Sequence, residues 1–135
     1  MILFIDTSDY HNLRFALIDD RKKEIVLKEF QAEVAFNENY KTNLLLEKFL
    51  KRSKVTPKQL TKIVVCSGPG SFTGIRVGIS LAQALGFALG IPMAAIPKNK
   101  VPQDLAKLTE VKGGKTLTVN YGQKPNITKS KKKVR

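Results

Sequence analysis

The most constraining feature of this sequence is a glycine-rich segment that leads into a long run with almost no charge. Residues 68–78 read Gly-Pro-Gly-Ser-Phe-Thr-Gly-Ile-Arg-Val-Gly, and a mainly apolar run continues to Gly90. The Gly and Pro residues predict a tight loop. Thr73 is the predicted N-cap of a helix that extends from about Gly74 to Leu89.

Small residues recur at every fourth position of this predicted helix. They are Gly74, Gly78, Ala82, Gly86 and Gly90. Because positions i and i+4 lie on one face of a helix, this spacing predicts a shallow groove where another backbone can approach closely. Each interior glycine costs about 1 kcal/mol of helix stability relative to alanine, so we expect this face to be packed.

The rest of the predicted helix also lacks a broad polar face. Arg76 is its only charged residue, and with Ser80 and Gln83 it forms a narrow polar stripe. A helix on the outside of a sheet normally presents a wide polar surface to water. The sequence therefore predicts that a second protein covers part of this helix, although burial wholly within the chain stays open. A membrane span at residues 77–96 is long enough but is disfavoured by those polar residues and by the Gly-Ile-Pro break at 90–92.

The remaining pattern predicts an α/β domain with a mixed sheet of about five strands and two main helices. Five apolar or alternating segments are predicted strands: 2–7, 12–18, 24–32, 61–67 and 92–96. The first three have short links, which predicts an antiparallel meander. A helical period covers residues 38–54. The glycine-rich helix then joins the last two strands as a right-handed crossover, which makes those strands parallel.

Charge is concentrated toward the end of the chain. The protein has a formal net charge of +13 over 135 residues, and residues 98–135 contain 11 Lys and Arg against 2 acids. Such a segment can bind RNA phosphates or can remain a solvated tail, and the sequence leaves both open. The candidate RNA-contacting residues are Lys129, Lys131, Lys132, Lys133 and Arg135. The single Cys66 excludes an internal disulfide framework, which favours a cytoplasmic protein.

The candidate catalytic residues are few. Asp6, at the end of the first predicted strand, resembles the carboxylate of a ribonuclease H-like nuclease, but such enzymes need several carboxylates around two metal ions. A turn-capping role for Asp6 is the alternative. The loop at residues 68–74 has glycines and hydroxyls like a phosphate cradle but lacks the Gly-Lys-Ser/Thr of a P-loop. Neither Cys66 nor His11 has the spaced partners of a metal site or a catalytic triad.

Together, these residues resemble the N-terminal half of the TsaB family, also called YeaZ. The resemblance rests on Ile-Asp-Thr-Ser at residues 5–8, the Leu-rich helix near 44–50, the glycine motif at 68–78 and the small-residue helix before Pro92. It implies a ribonuclease H-like, actin-like ATPase subdomain with a degenerate nucleotide site. We expect residues 1–97 to form this N-terminal subdomain and 98–135 to form a basic extension, the remnant of a second subdomain.

The resemblance also implies a function. Members of the family are non-catalytic partners of TsaD, which transfers a threonylcarbamoyl group to adenosine in tRNA, and an ATPase, TsaE, joins them. ATP and the catalytic metal would belong to the partner subunits, and this chain would hold no cofactor. The implied partner interface lies on the two main helices and comprises Leu45, Phe49, Arg76, Gly78, Ser80, Ala82, Gln83, Gly86 and Phe87. A homodimer through the same face is possible when the partner is missing.

This chain departs from the family pattern in two respects. Tyr40 and Leu46 stand where the family usually has His and Pro, and the second actin-like subdomain is nearly absent. The main hypothesis is therefore a scaffold or activator subunit of the tRNA threonylcarbamoyladenosine (t6A) machinery. The alternatives are a metal-dependent nuclease that uses Asp6 and a basic RNA-binding module.

Overall fold

The computed structural model describes residues 1–9, 12–22, 24–33 and 42–117. Its strands and α-helices are, in chain order, β1 (Ile2–Asp6), β2 (Asn12–Asp19), β3 (Glu24–Glu33), α1 (Thr42–Arg52), β4 (Lys62–Cys66), α2 (Phe72–Leu89) and β5 (Met93–Ile96). Short 3-10 helices lie at Pro57–Gln59, Lys98–Lys100 and Leu105–Glu110. The predicted α/β class is confirmed.

The strands form one mixed sheet in the order β3-β2-β1-β4-β5. β1 pairs antiparallel with β2 and parallel with β4, so that Ile2 lies opposite Ile18 on one side and Lys62 on the other. β5 extends the sheet in parallel with β4, with Val64 opposite Ala94. The antiparallel meander and the parallel crossover through α2 therefore both form as predicted.

Both faces of the sheet are covered, which explains why β1 and β4 are continuous apolar runs. On one face, Leu3, Ile5 and Phe15 pack with residues of α1 and α2. On the other, Phe4 and Val64 pack against buried side chains of the last 3-10 helix, chiefly Leu105 and Leu108. The sheet is thus the central layer of the domain.

The segment after β5 is fastened to the sheet by backbone bonds and by one lysine. Met93 and Gly114 exchange backbone hydrogen bonds of 2.8 and 2.9 Å at the edge of β5. The Lys62 ammonium donates to the carbonyls of Leu108 at 3.1 Å and Thr109 at 3.4 Å, and also to that of Val111. Burial of this ammonium lowers the pKa of Lys62. Residues 98–117 therefore pack on the sheet, and residues 118–135 of the predicted basic extension lie outside the described residues.

Helix α1 buries one side and ends in a left-handed turn. Leu46, Phe49 and Leu50 are buried, as the helical period predicts. The helix ends at Arg52, and Lys54 then adopts a φ of 57°. The predicted start near residue 38 and Tyr40 lie outside the described residues.

Helix α2 begins earlier than predicted. Its N-cap is Ser71, whose hydroxyl oxygen accepts a hydrogen bond of 3.1 Å from the Gly74 N–H, so the prediction of Thr73 is wrong. Thr73 lies within the first turn, and its side chain is exposed. The helix ends at Leu89, and the C-cap residue Gly90 has the left-handed conformation. By length and composition α2 could cross a membrane, but core helices pass the same test and one face of α2 packs on the sheet.

Candidate functional site

The carboxyl ends of β1 and β4 meet in a buried polar cluster around Asp6. Asp6 Oδ1 accepts hydrogen bonds from the Ser8 N–H at 2.9 Å and from the Ser8 hydroxyl at 2.6 Å. Arg14 Nη1 lies 3.8 Å from Asp6 Oδ2, and the Asp6 side chain is buried. The carboxylate therefore caps the turn after β1, which is the structural alternative that the sequence left open.

This cluster also fixes the glycine loop and the start of α2. The Ser8 carbonyl accepts a hydrogen bond of 2.8 Å from the Ser71 N–H, and the Thr7 hydroxyl donates to the Gly74 carbonyl. A Cβ atom at Gly70 would overlap the Ser8 backbone, so the loop can approach β1 only without a side chain there. Gly68 has a φ of 94°, which favours glycine.

The hydrogen bonds of the loop and the carboxylates of the described residues bear on the predicted phosphate and metal sites. Two N–H groups that could bind a phosphate are already used, because the Ser71 N–H donates to the Ser8 carbonyl and the Gly74 N–H donates to the Ser71 hydroxyl oxygen. Among the described residues, no group of three or more His, Cys, Asp or Glu lies close enough to hold a metal ion. The role of the loop that the structure supports is to position the start of α2, so that the helix packs on the sheet.

The small-residue face of α2 is turned toward the chain's own sheet. Gly78, Ala82 and Gly86 are buried. A Cβ atom at Gly78 would overlap Thr7 Oγ1, and one at Gly86 would overlap the Met93 side chain. The prediction that these three residues contact a partner is therefore corrected, because they are buried within the chain, where Thr7 lies against Gly78 and Met93 of β5 lies against Gly86.

The opposite side of α2, which we call the outward face, consists of Phe72, Thr73, Arg76, Ser80, Gln83, Ala84 and Phe87. The side chain of Gln83 is half-buried and the others are exposed. The Phe72 ring is 68% exposed and the Phe87 ring 64%, although both residues are large and apolar. The Arg76 guanidinium lies 5.2 Å from the centroid of the Phe72 ring. Four residues of the predicted interface, Arg76, Ser80, Gln83 and Phe87, thus share one accessible surface.

A groove of about 540 Å³ separates this face from the first turn of α1. Its wall on α2 is formed by Phe72, Thr73, Arg76, Val77, Ser80 and Leu81, and its wall on α1 by Thr42 and Asn43. The groove combines apolar area with hydroxyl, amide and guanidinium groups, which is a composition suited to a helix or a peptide segment of another protein.

The two predicted interface residues on α1 have different environments. Phe49 is buried, with its ring centroid 5.9 Å from that of Phe15, so its assignment to the interface is corrected. Leu45 is half-buried beside Leu13 and Val77. Sequence reasoning missed Leu44, which is 53% exposed, and Phe72. The helical period did contain a signal for Leu44, because it lies opposite the buried residues of α1.

Two further predictions concern Cys66 and the basic end of the chain. Cys66 is fully buried, and burial raises the pKa of its thiol, as expected for a small structural residue rather than a nucleophile. The candidate RNA-contacting residues Lys129 to Arg135, and also His11, lie outside the described residues.

Comparison with known proteins places this geometry in a family. The family model for TsaD, tRNA N6-adenosine threonylcarbamoyltransferase, matches residues 33–102. The tRNA threonylcarbamoyladenosine biosynthesis protein TsaB of Bacillus subtilis is 37% identical over 95 residues, which are 70% of this chain and 40% of that protein. This chain thus spans about two fifths of the length of that relative.

Solved structures agree with the sequence match. YeaZ from Pseudomonas aeruginosa superposes with a TM-score of 0.61 at 25% identity, covering 71% of this chain and 43% of YeaZ. RuvC from T. thermophilus, solved with a Holliday junction substrate, superposes with a TM-score of 0.53 at 12% identity, covering 80% of this chain and 87% of RuvC, a likeness that shows the ribonuclease H-like fold alone. The chain belongs to the TsaB (YeaZ) family, as the glycine motif and the Ile-Asp-Thr-Ser turn predict.

Proposed function

We propose that this chain is a non-catalytic subunit of the machinery that makes t6A in tRNA, and that it binds a TsaD-like protein through the outward face of α2. Family membership supports a role in t6A synthesis, because the Bacillus subtilis relative is named for t6A biosynthesis. The choice of binding surface is supported by the exposure of Phe72 and Phe87, which lie on either side of Arg76 and Ser80. Exposed aromatic rings beside an arginine are typical of the centre of a protein interface.

The non-catalytic role is supported by the state of the candidate catalytic groups. Asp6 is already bonded to Ser8 and lies beside Arg14, and Cys66 is a buried thiol. We therefore assign the chemistry, ATP and any metal to partner subunits, with a TsaE-like ATPase and tRNA in the same cytoplasmic assembly. The nuclease alternative has no comparable support, because the likeness to RuvC concerns the fold alone.

The test is the mass of the complex in solution. The chain has a mass of 15.0 kDa, so light scattering during gel filtration separates a monomer, a homodimer and a complex of one copy with one TsaD-like protein. We expect the one-to-one complex when the two proteins are mixed. Only the chain's own monomer or dimer, with no mixed complex, would contradict the proposal.

Matched charge variants locate the interface. Ser80→Arg places a cation in the groove, whereas Gln103→Arg adds the same charge at an exposed position outside the groove. We expect the first variant to lose the complex and the second to retain it. Substitution of Gly78 or Ala82 would not serve this purpose, because both residues are buried and their variants would also destabilise the chain.

A further inference from the structure

A second surface of the molecule is strongly charged and is not part of the groove. Five exposed cationic side chains lie in the second half of α1, in the turn that follows and in the 3-10 helix after it, and we call them the basic ridge: Lys48, Lys51, Arg52, Lys54 and Lys58. Glu47 is the one acidic residue in the segment 47–59. Within the described part of the chain, no carboxylate forms a salt bridge with any of the four lysines. These four lysine side chains are exposed, so their charges can meet an external anion.

Backbone hydrogen bonds hold the turn that contains Lys54 in a defined position. The Ser53 N–H donates to the Phe49 carbonyl at 3.0 Å, and the Val55 N–H donates to the Leu50 carbonyl at 3.0 Å. Val55 is buried, which anchors the far side of the turn. Between them Lys54 has a φ of 57°, where glycine is the usual residue. A lysine at this position costs conformational free energy and directs a cation outward from the turn.

The chemistry of the ridge favours a phosphate backbone. The exposed side chains of residues 47–59 include no aromatic ring and no Leu, Ile, Val or Met. The ridge therefore lacks the stacking platforms that bind single-stranded bases and the apolar anchors that insert into a bilayer. Clustered lysines without such groups bind duplex phosphates through charge and release of counterions.

We propose that the basic ridge binds the phosphate backbone of a folded, duplex-containing RNA, without reading its sequence. The choice of RNA over other polyanions rests on the proposed function in tRNA modification. The groove lies at Thr42, the first residue of α1, and the ridge extends past Arg52, its last residue, which is about 15 Å from Thr42 along the helix at 1.5 Å per residue. The RNA and the protein partner would therefore contact different residues of this chain.

The test measures the affinity of the full chain for an unmodified tRNA transcript over a range of salt, from about 50 to 200 mM. The ridge variant is Lys51→Gln/Lys54→Gln/Lys58→Gln. Its matched control, Lys98→Gln/Lys107→Gln/Lys112→Gln, removes the same charge from exposed lysines of the segment after β5. We expect the ridge variant to lower tRNA affinity about tenfold or more and to reduce the slope of log K against log salt by about 2 to 3, with less than about threefold loss in the control.

A second variant separates binding from a purely structural role. Lys51 and Arg52 also complement the negative end of the α1 macrodipole, so their positive charges could serve only to stabilise the helix. Lys54→Gly relieves the left-handed backbone while removing a cation. We expect it to leave the melting temperature equal or higher and to lower tRNA affinity severalfold.

Three results would overturn the inference. Equal losses in the ridge variant and the control would show a general effect of net charge. Unchanged tRNA affinity in the ridge variant would assign binding elsewhere, and a loss of binding to anionic vesicles without a loss for tRNA would assign the ridge to a membrane surface. Complex formation with a TsaD-like protein is measured on the same variants, so that a failure of the proposed function is seen separately from a failure of the ridge.

Discussion

The two faces of α2 differ in the size of their residues and in their environments. The inner face, with Gly78 and Gly86, meets the side chains of Thr7, which follows β1, and Met93 of β5 at distances that leave no room for a Cβ atom. The outward face presents two large aromatic rings, Phe72 and Phe87, to solvent. The difference teaches that small residues mark where this chain packs on itself, whereas large exposed residues mark where it can bind another protein.

The largest expected effect concerns the inner face. Gly78→Leu should lower the free energy of unfolding by more than about 3 kcal/mol, because the new side chain has to displace Thr7 and separate α2 from β1. Ser80→Leu, two residues further on the outward face, should change it by less than about 0.5 kcal/mol. Urea unfolding of both variants measures the difference. Similar values for the two would remove the distinction between the faces.

The next effect concerns the cluster that sets the position of the inner face. Asp6→Ala should lower the free energy of unfolding by about 2 to 3 kcal/mol, because the Ser8 N–H and hydroxyl lose a buried, charged acceptor. Unfolding in urea gives the value, and Asp6→Asn should lose less because one acceptor oxygen remains. If Asp6→Ala were as stable as the wild type, the turn-capping role of Asp6 would be wrong.

A smaller effect tests where α2 begins. Ser71→Ala should cost about 1 kcal/mol, because the Gly74 N–H loses the side-chain acceptor that caps the helix. Thr73→Ala, with an exposed side chain in the first turn, should cost less than about 0.5 kcal/mol. Thermal unfolding of the two variants is the measurement. The reverse order would restore Thr73 as the cap.

The smallest effect is a pH dependence of the unfolding free energy that comes from the buried Cys66 of β4. Burial raises the pKa of the Cys66 thiol above its usual value of 9.0, so the unfolded chain loses this proton at a lower pH than the folded one. The stability that Cys66 contributes is fully present below pH 9 and is lost as the pH rises through the folded pKa. The difference in unfolding free energy between wild type and Cys66→Ala should therefore shrink by up to about 1 kcal/mol between pH 8 and 10. A constant difference would show that the thiol is not buried as described.

Much of the fold could be predicted from the sequence because its signals are local. The apolar runs of β1 and β4 predict buried strands. The alternation of Leu13, Phe15 and Leu17 predicts that these side chains share one face of β2. The order of strand, helix and strand then predicts a crossover between parallel strands, and such crossovers are nearly always right-handed. These features depend on residues adjacent in sequence, which is why they were predicted correctly.

The orientation of α2 could not be predicted in the same way. A stripe of small residues admits a close neighbour but does not say whether that neighbour belongs to the same chain. The answer depends on Thr7 and Met93, which are far from α2 in sequence and reach it only when the sheet has formed. The choice of Ser71 over Thr73 as the cap has a similar cause, because the Ser8 carbonyl holds the Ser71 N–H.

The environment of Phe49 shows the same limit on α1. An aromatic residue on an amphipathic helix can be a core residue or an interface residue, and the helical period is the same for both. Its contact with Phe15 on β2 decides for the core, whereas Leu44 on the opposite side of α1 remains exposed. Site residues on a helix can therefore be predicted only after the packing of that helix is known.

The most direct test of the central claim is the affinity of a TsaD-like protein for Phe87→Asp, measured by calorimetric titration beside the wild type. The account predicts that this variant keeps the wild-type free energy of unfolding, because the ring is exposed, and binds the partner about 30-fold or more weakly, the effect of losing roughly 2 kcal/mol at the centre of an interface. Wild-type affinity in this variant would contradict the claim that the outward face of α2 is the docking surface.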